Sequence, residues 1–440
     1  MNKFRAEELA LPEEILSLAF SGLSKYDLYT CAQVCRRFNR LAVQQVLDET
    51  GLWDPTRYCS LMLDEDGPEL DSLAFVLVSA HIKSFGNLTL TLTAFTCPRE
   101  LASRLRRVTQ FLQSVITSVD NFRLDVKFQG SLRSPSRNHP GALEDALEAL
   151  FNTVVARSCV NFEMNDYAGE VIRGFEYEPS GEGPFSTNSI LQDELRYIRD
   201  SHPPRYSYRS LKYGLTEPAQ VQQINVTLGM LRPPFSEWMF SLLANSSVTT
   251  LYISIWDDLE LDEEEIKFIM HRCATMGTSI DSLLVGIHCP GIFWPVISCL
   301  NHFSKTLKSL RIYASPYEWR DGERPDDFSL SLPELTSLEL MPVGMRALFS
   351  PPVHSISLPK LSEITLMSSE DCEECEYLDA KLSGSDTERE REMDVGGRRL
   401  ALVSRYKNVY PSSRLQRLAR PKDQTETPSG GATRVKDDWS

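Results

Sequence analysis

The chain has 440 residues, is 42% hydrophobic and 24% charged, and carries a net charge of −15 with a pI near 5.1. That length fits about three ordinary domains with ample apolar material for folded cores. The acidity argues against nucleic acid or an anionic membrane surface as a partner, because both select clustered cations. The first twenty residues lack a cationic start followed by an unbroken apolar run, so no signal peptide is expected. No run of roughly eighteen apolar residues is present, so no membrane span is expected. Ten cysteines are scattered without the spacing of a secreted scaffold, which places the chain in the cytoplasm or nucleus with reduced thiols. Asn87, Asn225 and Asn245 head glycosylation-type triplets that carry no meaning in such a compartment.

Leu11-Pro12-Glu13-Glu14-Ile15-Leu16 is a helix start, with proline in the first turn, where its missing N–H costs nothing. Asp27-Leu28 opens a second helical pattern with Leu28, Cys31, Val34 and Cys35 at three- and four-residue steps. Phe38 and Leu41 carry the apolar face past Arg36-Arg37, and Val43 to Leu47 continues a third helix. A module this small cannot bury so many apolar side chains alone, so the rest of the chain or a partner must cover some of them. Periodicity by itself fits a helical cap on the next domain and a docking face equally well.

The ordered motif, LPEEIL followed by Leu23, Asp27-Leu28, Val34-Cys35 and Phe38, resembles an F-box. F-boxes are short helical modules by which substrate receptors dock onto the Skp adaptor of cullin–RING ubiquitin ligases. The family has Trp or Phe near the module's end, and Phe38 stands there. The resemblance implies a module at 8–50. Its docking or module-core positions would be Leu11, Pro12, Ile15, Leu16, Leu23, Leu28, Val34, Cys35 and Phe38. Arg36-Arg37 fits either a pair of exposed cations or a rim contact to the acidic adaptor that acts mainly on association rate.

Residues 51–84 are expected to form a helical linker, although Leu70 to Val78 has no clear period. From Phe85 an apolar-x-x-apolar-x-apolar pattern recurs. It appears as Phe85/Leu88/Leu90, Val119/Phe122/Leu124, Cys159/Phe162/Met164, Val221/Ile224/Val226 and Val248/Leu251/Ile253. It goes on as Ile280/Leu283/Val285, Leu307/Leu310/Ile312, Leu335/Leu338/Leu340 and Leu361/Ile364/Leu366. From Ile224 the middle positions are 27, 32, 27, 28 and 26 residues apart, a period of the kind solenoids show. Helix patterns alternate with these strands at 103–117, 141–155, 236–244, 262–276 and 293–303. In the fourth of them, Asp262 and Glu265 have capping-box spacing.

This alternation over 85–368 resembles the degenerate leucine-rich repeats fused behind F-boxes, especially in fungal receptors. It lacks the Asn or Cys that regular repeats carry a few residues later. An α/β domain with a mixed parallel sheet fits the same alternation. Residues 166–220 interrupt the array as an insertion, with a Gly/Pro/Glu-rich loop at 174–184, a helix candidate at 188–199 and a stray Tyr208/Leu211/Tyr213 strand pattern. Residues 369–440 are expected to be a largely disordered acidic tail. Glu370 to Asp394 holds eleven carboxylates against three cations. Val395 to Asn408 fits a helix, and Leu415/Leu418 fits one worn terminal repeat.

The sequence gives little footing for catalysis. Seven histidines lie without paired ligand spacing, and neither a Gly-x-Ser-x-Gly elbow nor a phosphate loop occurs. Cys372-Glu-Glu-Cys375 is a lone pair of thiols in acidic surroundings, short of the four ligands zinc needs. Asp257 to Glu265 carries seven acids in nine residues, fitting either a solvated loop feeding a helix or an acidic rim for a basic substrate. The expected fold class is α/β: a three-helix F-box, then an irregular leucine-rich-repeat solenoid, then the tail. The expected function is that of a substrate receptor in a Skp–cullin–F-box ligase that is not itself an enzyme and uses no cofactor or metal. Its partners would be the Skp adaptor and a protein target. A repeat scaffold outside any ligase is the alternative.

Overall fold

The computed structural model describes residues 11–49, 54, 56–63, 72–93, 98–127, 142–166, 210–232, 234–256, 263–288, 292–314, 328–341, 344, 348, 356–367, 390–395 and 398–405. It opens with three helices, α1 (Glu13–Phe20), α2 (Lys25–Ala32) and α3 (Arg36–Glu49). The second begins two residues before the Asp27 expected from the pattern. Ser24 caps it, its Oγ accepting the Asp27 N–H at 3.2 Å and donating to Asp27 Oδ2 at 2.6 Å.

The stretch expected to be a helical linker holds a strand as well as a helix: β1 (Tyr58–Leu63) precedes α4 (Ser72–Val78). Cys59, Leu61 and Leu63 are buried as in the later strands, but Thr56 fills the first apolar place of the pattern and hides the unit. The Tyr29 ring of α2 meets Phe75 of α4 edge-on at 5.8 Å, which seats the helical module on this first unit.

The strands that follow are β2 (Ser84–Thr93), β3 (Ser118–Lys127), β4 (Asn161–Asp166), β5 (Gln223–Thr227), β6 (Thr250–Trp256), β7 (Ser282–His288) and β8 (Ser309–Ala314). Next come β9 (Leu330–Ser331), β10 (Ser337–Leu340), β11 (Ile356–Ser357), β12 (Glu363–Met367), β13 (Glu390–Val395) and β14 (Arg398–Arg405). Twelve of them make one sheet in the order β1-β2-β3-β4-β5-β6-β7-β8-β10-β12-β14-β13, while β9 and β11 pair separately. Every pair in the large sheet is parallel except β13–β14. The middle residues of the recurrent pattern fall on one register line. It runs Leu88, Phe122, Phe162, Ile224, Leu251, Leu283, Leu310, Leu338 and Ile364. Cys59 extends that line at one end and Leu402 at the other.

Between the strands lie α5 (Pro98–Ser114), α6 (Ala142–Ala156), α7 (Ser236–Ala244), α8 (Glu263–Met276) and α9 (Phe293–Cys299). They pack on the apolar face. Phe111 of α5 stands 6.4 Å from Phe85, and both Phe151 of α6 and Trp238 of α7 pack on Phe162. Helix α5 starts five residues earlier than its apolar period suggests, with Pro98 as its first residue. At the strand entries each unit bonds the next: the Thr249, Asp281, Lys308, Thr336 and Ser362 amides donate in turn to the carbonyls of Gln222, Thr249, Asp281, Lys308 and Thr336.

Two expectations change here. Within the helix expected over Val395 to Asn408, Val395 and residues 398–405 are strand. Strands β13 and β14 form an antiparallel pair, and β14 adds itself to β12. The acidic stretch to Asp394 therefore ends in a strand. Of the Tyr208/Leu211/Tyr213 pattern, the described Leu211 and Tyr213 contribute no strand. Leu211 is buried in irregular backbone, its amide donating to Pro234 O at 2.9 Å, and β4 pairs directly with β5 across the insertion. Residues 167–209, Asp257 to Asp262, Cys372, Cys375, Leu415 and Leu418 lie outside the described residues. No described helix is long and apolar enough to cross a membrane.

Candidate functional site

Two surfaces stand out. The first is on the N-terminal helices. Leu16 and Phe20, one turn apart on α1, are buried with Leu28 and Ala32 of α2 and with Ala42, Val43, Val46 and Leu47 of α3. Phe38 is half-buried, edge-on to Phe20 at 5.4 Å. These are core positions. The rest of the motif points outward: Pro12 and Cys35 are exposed, and so are Leu11, Ile15, Leu23 and Val34. Leu18 and Tyr26, which the motif does not single out, are the most exposed large apolar residues of the chain's described part, at 72% and 70%. A small module showing Leu11, Ile15, Leu18, Leu23, Tyr26 and Val34 to water exposes what a docking core needs.

Arg37 is not a free rim cation. It donates to Leu11 O, and with Arg40 it pairs Glu13, tying the start of α1 to α3. That clamp holds the exposed strip in shape.

Residues 9–50 form an F-box-like domain. They match the F-box-like family model over that span, and no curated protein matches the sequence. The boundaries agree with the three helices described above, and the F-box's core and surface positions separate as just given.

The second surface is the face of the sheet opposite the helices. Parallel sheets are usually covered on both faces, yet this one carries a half-exposed polar face. Its first register line begins Asn87, Asn121 and Asn161. Asn87 Nδ2 donates to Arg57 O at 3.0 Å, Asn121 Nδ2 to Gly86 O at 2.7 Å, and Asn161 Nδ2 to Asn121 Oδ1. The next line reads Thr89, Arg123, Glu163, Asn225, Tyr252, Leu284, Arg311, Glu339 and Thr365. Arg123 Nε bonds Asp125 Oδ1 at 2.8 Å while its Nη1 lies 3.1 Å from Glu163 Oε1, and Asn165 donates to Glu163 Oε1 at 2.7 Å. Arg311 pairs Glu339 at 2.8 Å.

Between these two charged groups the face is neutral and aromatic. Tyr252 and Tyr313 flank Gly286, and His288 leans back over it. A Cβ on Gly286 would lie 3.1 Å from Tyr252 Oη, 3.3 Å from His288 Nε2 and 3.6 Å from Ser254 Oγ, so the bare Cα is what lets the three converge. Burial holds the His288 imidazole below its ordinary pKa. Burial also raises the Tyr252 phenol, an effect that Ser254 opposes and the Glu163 carboxylate reinforces. Tyr313 is raised by burial and then by Glu339. Ser254 Oγ stands near Tyr252 but makes no hydrogen bond of acceptable geometry, and Asn225 Oδ1 is likewise buried without a partner.

The described residues hold no group of three or more His, Cys, Asp or Glu able to bind a metal. The expected capping box rests on Asp262, which lies outside the described residues. Glu265 binds Arg232 through both oxygens, one at 2.8 Å.

Proposed function

We propose that this chain is a substrate-recognition subunit of a Skp–cullin–F-box ubiquitin ligase. The observation that carries the reading is the exposed apolar strip on an F-box-like module whose own core is already filled. An adaptor seated there would bury the six outward side chains, and a few of them would dominate the affinity. The sheet's open polar face would hold a protein target. On this reading the strand–helix units are degenerate leucine-rich repeats in an open solenoid. Chain-order parallel strands, helices on one face and a periodic register line support that reading, because stacked units leave one surface continuous and free.

The protein would form no bond itself. It would hold a substrate lysine at high effective concentration beside the ligase. Expression with a Skp adaptor and a cullin tests the proposal. Recovery of a ternary complex supports it. Recovery of adaptor without cullin makes the chain a scaffold outside ligases, and recovery of neither removes the reading.

A further inference from the structure

Both open-face cations whose side chains are described are already committed. Arg123 is shared by Asp125 and Glu163, and Arg311 by Glu339. The carboxylates among the same described side chains are Asp125, Glu163, Glu339 and Glu363, four anions to two cations. A further positive charge would balance these described side chains.

The centre of the face has the remaining requirements for one. Tyr252 and Tyr313 supply two aromatic rings, a group whose π-face attracts cations, and the desolvation that raises both phenols is reinforced by Glu163 at one and by Glu339, against Arg311, at the other. Asn225 Oδ1 and Ser254 Oγ are unsatisfied, and Ser254 is only 6% exposed. A carbonyl oxygen can only accept, and a hydroxyl can accept as well, so a group rich in N–H donors suits both. A buried unpaired acceptor costs about 1–3 kcal/mol, which a donor from a partner would relieve. Among the described side chains an anionic ligand finds no uncommitted cation.

We infer that the Tyr252–Tyr313 patch, between Glu163 and Glu339, is a subsite for a lysine or arginine side chain of a partner polypeptide. The inference rests on the receptor reading above and gives it a substrate chemistry: a target segment with a basic residue. The aliphatic stem would lie across the rings, with the charged head against a carboxylate and the Asn225 and Ser254 oxygens.

The test uses the full chain in complex with its Skp adaptor and fluorescent (Gly-Lys)4, (Gly-Arg)4 and (Gly-Glu)4 peptides, read by anisotropy. The basic probes should bind and the acidic one should not. Glu163→Gln and Glu339→Gln should each weaken the basic probes about five- to tenfold, as should Tyr313→Leu. Glu263→Gln with Glu264→Gln, on the first turn of α8, should change nothing. Equal loss in that control would mean diffuse attraction to an acidic protein and would overturn the subsite. So would equal binding by all variants, or no binding of the basic probes. Adaptor recovery from the same samples reads the F-box separately, so a failed subsite and a failed receptor are told apart, and retained adaptor and circular dichroism show that each variant is folded.

Discussion

Asn39 on α3 accepts the Ala80 amide on its Oδ1 at 2.8 Å, locking the F-box to the entrance of β2. The same side chain donates through Nδ2 to Ala32 O at 2.8 Å and Val78 O at 2.9 Å, and it is buried. One amide thus joins the end of α2, the end of α4 and the turn that follows. F-box and sheet are one packed body at this point, so on the proposed reading a target on the sheet would be held at a fixed geometry from the adaptor. Asn39→Ala strands an amide and two carbonyls, each costing about 1 kcal/mol or more. The expected loss is about 2–3 kcal/mol, measured by urea denaturation. Amide exchange should quicken first at Ala80 and its neighbours.

The exposed strip and the core beneath it make opposite predictions. Ile15→Glu or Leu18→Glu places a charge where water already reaches, so stability should stay within about 0.5 kcal/mol while adaptor recovery is lost. Leu28→Ala empties a side chain that is 1% exposed and should cost about 2–5 kcal/mol, loosening the whole module. Pulldown and thermal melting on the same samples separate the two. A surface charge that melted the module, or left the adaptor bound, would count against the strip as an interface.

Much of this was legible in the residues. Nine apolar triads announced nine strands, and their middle members lie on one register line because a slip of one residue would turn an apolar row to water. What stayed hidden was local. Thr56 masks the first unit, the apolar residues of 398–405 fit a helix period as well as the strand they form, and the α5 start at Pro98 lies outside the apolar period. The F-box motif could not say which positions face inward, since Ile15 and Leu16 are neighbours with opposite fates. Nor does alternation reveal the open face: it gives the polar residues but not their partners. Asn39 gave no signal, as a polar residue in a polar-rich helix looks solvated until its three partners are seen.

Thiol chemistry should follow burial. Cys59, Cys159 and Cys273 are buried, and desolvation pushes each thiol up to about 12; Cys299 is pushed up to about 11. A thiol that stays protonated is a poor nucleophile. Cys35 is exposed and Cys31 partly so. Brief iodoacetamide labelling read by peptide mass spectrometry should therefore modify Cys35 well ahead of those four. Because Cys35 adjoins Val34 on the outward strip, its labelling should slow when the adaptor is bound.

Acid should weaken the fold beginning near neutrality. His81, His288 and His302 all have pKa values held below their ordinary 6.5, each chiefly by burial, with Arg40 and Lys83 adding at His81 and His271 at His302. A histidine whose folded pKa is lowered binds fewer protons folded than unfolded, so stability rises with pH between the two values. It is at full strength above about pH 7, falls as pH drops through 6.5, and levels off below the folded pKa. The urea midpoint should be lower at pH 5.5 than at 7.5. His288→Gln should narrow that gap, and an unchanged gap would exclude His288 as a contributor.

Arg232 follows the short 3-10 turn Leu228–Leu231 after β5, and its guanidinium grips both oxygens of Glu265 on α8. The side chains are 19% and 11% exposed, so water screens the pair little. Breaking such a pair from one side leaves a desolvated charge, whereas replacing both partners with apolar groups of similar size can be nearly neutral. Glu265→Gln should cost about 2–3 kcal/mol. Arg232→Met with Glu265→Leu should cost less than the single charge removals added together. A double-mutant cycle in urea measures the coupling; a value near zero would mean that α8 is held by Ile266, Ile269 and Met270 alone, all of them fully buried.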